Sequence, residues 1–145
     1  MPPSLSTKSF IQLTAGCAVL TCFAGLLATA YPAFWGEAGL SGYRLFLHAG
    51  IAPVFAAGVT FLALALAPRH TKHRSGSFLL NASFWLILIA AVPLILSSAL
   101  AMFPILGMRD QRILLLTHRY CAAVLSVFVV LYVFLLIIHR PGKTA

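Results

Sequence analysis

Two histidines stand inside otherwise apolar stretches: His48 in YRLFLHAGIAPVFAAGVTFLALALAPRH and His118 in RILLLTHRYCAAVLSVFVVLYVFLLIIHR. An ionisable residue inside a membrane helix is costly to keep, and by default it marks a functional site whose partner has to be found. Imidazole suits two tasks in such a place: ligating a metal, or hydrogen-bonding across a helix pair. Ligation is favoured here because the two residues lie at similar depth. His48 is four residues past Arg44 and His118 six past Arg112, which puts both rings roughly 6 to 9 Å beyond a charged boundary. Two imidazoles at matched depth on parallel helices can approach one iron from opposite sides, with a porphyrin filling the space between.

The neighbouring residues suit the same chemistry. Ala52 and Ala122 follow the two histidines by one helical turn and share their faces, where a flat macrocycle needs small side chains. Gly50 and Gly58 add surface for close approach, although small residues also serve ordinary helix packing in membranes. Pro53 removes one helix hydrogen bond just past His48 and is expected to kink the helix there. Arg44, Arg112, Arg119 and Arg109 fall on the same expected side as both histidines, and guanidinium groups suit the two propionates of a haem. The alternative for these arginines is snorkelling to lipid headgroups.

The elements that hold these residues follow from composition. Of 145 residues, 61% are hydrophobic and 8% charged, more apolar surface than a soluble domain of this length can hide. Four apolar runs, residues 10–31, 45–68, 78–104 and 113–138, each reach the roughly 20 residues that cross a hydrocarbon core. Lipid offers the backbone no hydrogen-bond partners, so such runs must be helices. The expected fold is all-α, a single integral-membrane domain forming an up-down four-helix bundle. Ser9-Phe10 and Ser77-Phe78, with Tyr43-Arg44 and Gln111-Arg112 at matching distances downstream, suggest two parallel two-helix repeats.

The net charge of +8 does not indicate nucleic acid, because the basic residues lie at the ends of apolar runs and not in a stripe. Lys8, Arg69, Lys72, Arg74, Arg140 and Lys143 fall on one face with no acidic residue; Arg44, Arg109, Arg112 and Arg119 fall on the other with Glu37 and Asp110. The positive-inside rule then sets both termini in the cytoplasm. The first apolar run exceeds a signal-peptide core and reads as a retained helix, although Ala28-Thr29-Ala30 resembles a cleavage site. Cys17, Cys22 and Cys121 have no metal-ligand spacing and read as small apolar fillers. With Glu37 and Asp110 as the only acids, no paired carboxylate site or catalytic triad can be assembled.

The His118-Arg119 dipeptide opening an aliphatic helix, together with Leu47-His48-Ala49-Gly50 in the preceding parallel helix, resembles the four-helix cytochrome b membrane subunits of bacterial respiratory dehydrogenases and hydrogenases. The resemblance implies haem b, an inner-membrane location, membrane and periplasmic redox subunits as partners, and exchange of electrons with quinone. Members of that class commonly hold a second haem through a histidine about four turns beyond the first on a ligand helix. Here Tyr132 and Leu62 occupy those places, so one haem is expected, on the periplasmic side and ligated by His48 and His118. His70, His73 and His139 lie toward the other end and read as solvated interfacial residues. Bis-histidine ligation leaves no open position on iron, which favours electron transfer over oxygen chemistry. A pigment-binding or structural subunit of a photosynthetic or respiratory assembly is the alternative, since a chlorophyll-type magnesium would take one histidine per pigment. A small transporter is a weaker third reading.

Overall fold

A computed structural model of the chain describes residues 7–35, 41–71, 78–103 and 106–138. The described residues form an all-α protein of four helices, α1 (Thr7–Trp35), α2 (Gly42–Thr71), α3 (Phe78–Ala101) and α4 (Met108–Ile138). Each is long and apolar enough to cross a membrane. Large apolar side chains stand open along them, including Leu64 (75% exposed) and Phe78 (84% exposed). Such exposure is tolerable only where hydrocarbon replaces water, and the chain is a multi-pass membrane protein.

α1, α2 and α4 run past the apolar stretches that announce them. α2 starts early enough to include Arg44, and α4 includes Arg109, Asp110 and Arg112, residues expected in a connecting loop. The backbone ladder need not stop where hydrocarbon does. Asp110, in the first turn of α4, also faces the positive end of the helix dipole. Gly42, the first residue of α2, sits at φ 55°, a left-handed conformation that glycine adopts without strain. α3 stops at Ala101, short of the expected Pro104. The N–H groups of Met102 and Phe103 turn back to the carbonyls of Ala99 and Leu100 at 3.2 and 3.1 Å, and a residue before proline is disfavoured in helical conformation. Pro32, Pro53, Pro68 and Pro93 are carried inside helices, so α2 continues through Pro53.

The chain divides into two compact units, Met1–Pro68 and Arg69–Ala145. In the first, α1 and α2 meet through the buried rings of Phe23 and Phe55, stacked with centroids 6.0 Å apart. They meet again where Gly58 lies against Val19. In the second, α3 and α4 pack together, α3 burying Ser83, Phe84, Ala90, Ala91, Leu94 and Ser97 and α4 burying Leu125 and Leu135. The last turn of α2, with His70, belongs to this second unit.

Hydroxyl groups in the apolar helices are satisfied within their own helix. Thr14, Thr21, Thr60, Ser83 and Ser126 each donate to the carbonyl four residues before, the usual resolution where water is absent. Among the described residues no buried side-chain nitrogen or oxygen lacks a partner.

Candidate functional site

In the first unit, His48 lies in the second turn of α2, half-buried, with Nδ1 2.9 Å from Oγ1 of Thr29 on α1. The Thr29 hydroxyl has its own acceptors, the carbonyls of Gly25 and Leu26 at 3.0 and 2.9 Å. With its single proton given to either carbonyl, the hydroxyl oxygen is placed to accept from a protonated His48 Nδ1. In that arrangement the ring proton sits on Nδ1 and the lone pair on Nε2. Arg44 and Ala52 lie one turn before and after His48, so all three share a face of α2; Arg44 is exposed and Ala52 half-buried.

In the second unit, His118 lies on α4, half-buried, and its Nδ1–H donates to the carbonyl of Leu94 on α3 at 3.2 Å. A carbonyl can only accept, so this ring too is protonated at Nδ1 and carries its lone pair on Nε2. Ala122, half-buried, follows one turn later on the same face. Arg119 and Arg112 are exposed, and the helical period turns both away from the His118 face. Of the arginines expected to serve as countercharges, Arg44 alone shares a ligand candidate's face.

Each histidine thus meets what a metal-ligating imidazole requires of its surroundings: a fixed acceptor for the distal ring N–H, which orients the ring and raises its basicity. Within each helix pair a half-buried imidazole has an alanine one turn on, Ala52 after His48 and Ala122 after His118, which suits what a haem ligand would need beside it. Of the groups around the two histidines, Thr29 and the Leu94 carbonyl are not among those the sequence pattern singles out. Thr29 could have been singled out as a polar residue in an apolar run, whereas a backbone carbonyl leaves no trace in residue type.

The reading of His70 as a solvated interfacial residue is corrected. It is half-buried, stacked flat on Phe84 with centroids 4.1 Å apart, and its Nδ1–H donates to Oδ1 of Asn81 at 2.6 Å. Tyr132, at the position where a second ligand was sought, donates its hydroxyl to His70 Nε2 at 3.3 Å. Both ring nitrogens are therefore engaged by side chains of α3 and α4. The expectations for Glu37, His73, Lys72, Arg74, His139, Arg140 and Lys143 fall outside the described residues, as do the side chains of Lys8 and Arg69. The three cysteines are free thiols, Cys17 exposed and Cys22 and Cys121 half-buried. Among the described residues no cluster of three or more metal-ligating side chains occurs.

Neither a protein-family model, nor a curated protein, nor a solved structure matches the chain.

Proposed function

We propose that the chain is a haem b subunit that relays single electrons within a larger redox complex of a bacterial inner membrane, with His48 and His118 as the axial ligands. The observation that carries this reading is the shared geometry of the two rings: each holds Nδ1 within hydrogen-bond distance of an oxygen on the neighbouring helix, Thr29 Oγ1 or Leu94 O, an arrangement that suits Nε2 as the ligating atom in both. Haem b, when bound, supplies one-electron redox chemistry. The chain supplies ring orientation through Thr29 and Leu94, a low-dielectric apolar surround, and small neighbours in Ala52 and Ala122.

Arg44 stands one turn from His48 toward the helix end, a suitable countercharge for a propionate reaching the interface. The role is that of a non-catalytic electron-transfer subunit, with both termini cytoplasmic, the haem toward the periplasmic side, and quinone and periplasmic or membrane redox subunits as partners. The resemblance of the LHAG and HR segments to respiratory cytochrome b subunits supports this assignment.

The test is a reduced-minus-oxidised absorption spectrum of the detergent-purified chain. A b-type signal is expected, lost in His48→Ala and in His118→Ala. A signal that survives both substitutions together refutes the ligand assignment. Absence of haem in the wild type, or absorbance of a chlorophyll-type pigment, moves the protein to the structural or pigment-binding class.

A further inference from the structure

The internal repeat extends to the hydrogen bonds behind the two histidines. The register that carries Ser9-Phe10 onto Ser77-Phe78 also carries Leu26 onto Leu94 and Thr29 onto Ser97. In α1 the Thr29 hydroxyl donates to the Leu26 carbonyl at 2.9 Å; in α3 the Ser97 hydroxyl donates to the Leu94 carbonyl at 3.0 Å. The second helix of each pair keeps a register of its own, which carries His48 onto His118, Ala52 onto Ala122 and the buried Phe55 onto the buried Leu125. Each pair therefore sets one imidazole against the same hydroxyl-carbonyl group of its first helix, but the contact differs. His48 Nδ1 meets the hydroxyl oxygen, whereas His118 donates to the carbonyl that Ser97 already occupies.

We propose that Thr29 and Ser97 are matched positioning residues that set the electron density of the two imidazoles in opposite directions; this rests on the haem reading above. Thr29 is the acceptor that draws on the Nδ1–H of His48. Without it the ring donates less density through Nε2, and the ferric state is less favoured. Ser97, 3% exposed, competes with His118 for one carbonyl. Without its hydroxyl the His118 bond strengthens and the ferric state gains. Thr29→Val should therefore raise the midpoint potential, and Ser97→Ala should lower it. A merely structural role would not give shifts of opposite sign.

Two measurements on the detergent-purified full chain test this. In the first, a potentiometric titration, Thr29→Val is expected to shift the midpoint upward, Thr29→Ser to stay near the wild type, and Ser97→Ala to shift downward. An unmoved midpoint in Thr29→Val, a Thr29→Ser protein that behaves like Thr29→Val, or shifts of the same sign in Thr29→Val and Ser97→Ala overturns the proposal. The second is 15N NMR of histidine-labelled protein stripped of any cofactor, which reads the tautomer directly. His48 is expected as the Nδ1–H form in the wild type and in Thr29→Ser, and as a mixture in Thr29→Val. An Nε2–H form of His48 in the wild type overturns the positioning role. A wild type with no b-type absorbance overturns the haem reading itself, and the tautomer measurement still decides whether Thr29 holds the ring.

Discussion

Replacing Gly58 by alanine should destabilise the first helix pair. A methyl at Gly58 would lie 2.5 Å from Cγ2 of Val19 on α1, whereas carbon atoms pack best at about 3.5–4.0 Å. The overlap is therefore about 1 Å or more. Val19 is β-branched and helical, so its χ1 is confined largely to one rotamer and the side chain cannot swing clear. The helices themselves must part. Overpacking of this kind costs about 1–3 kcal/mol, and the better helix propensity of alanine returns up to about 1 kcal/mol. The net expected loss is about 1–2 kcal/mol, a factor of roughly 5–30 in the folded-to-unfolded ratio.

Gly25 supplies the internal control. There the nearest atom to an added methyl is Cδ1 of Ile51 at 3.3 Å, the far end of a flexible side chain. Gly25→Ala should thus be neutral or slightly stabilising. The assay is reversible unfolding of the full chain in mixed micelles, with SDS as denaturant and far-UV circular dichroism as the signal. Val19→Ala should rescue Gly58→Ala by removing the opposing methyl. A Gly58→Ala protein at least as stable as the wild type, or a double variant showing no rescue, refutes the close-approach argument.

Further outcomes can be read in the same assay. Leu125 is 1% exposed at the centre of the second pair, and Leu125→Ala should cost about 2–5 kcal/mol through lost packing, well above the cost at the exposed Val127 on the same helix. Asn81→Ala leaves the Nδ1–H of half-buried His70 without its 2.6 Å acceptor and should cost about 1–3 kcal/mol, whereas Tyr132→Phe removes the longer 3.3 Å contact and should cost about 0.5–1.5 kcal/mol. Equal losses in those two variants would show that the stacking on Phe84, and not the hydrogen bonds, holds His70.

The helix count was legible because lipid leaves an apolar run no alternative to helix, and no tertiary information is needed to draw that conclusion. Helix ends were less so. Arg44, Arg109 and Arg112 mark where hydrocarbon stops, and the backbone ladder continues past it through residues that solvate well at headgroup depth. His48 and His118 stood out as polar residues in apolar runs, and the same signal was present, unused, at Thr29, Asn81 and Tyr132. What periodicity could not supply was pairing. His70 looked interfacial because it follows Pro68 and Arg69 in a basic stretch, yet α2 continues through them and delivers the ring onto Phe84. The Leu94 carbonyl is invisible in any one-letter code.

The division of the chain at Pro68 also bears on biosynthesis. The contacts described for the first unit, Phe23 on Phe55, Val19 on Gly58 and Thr29 with His48, involve only α1 and α2. They can close in the membrane while α3 is still inside the ribosome, since compact units form as they emerge, N-terminal first. The final turn of α2 must wait longer. His70 finds Asn81 and Phe84 once α3 is inserted and Tyr132 only when α4 follows, so a nascent chain halted before Tyr132 would carry His48 oriented and His70 still open on one side.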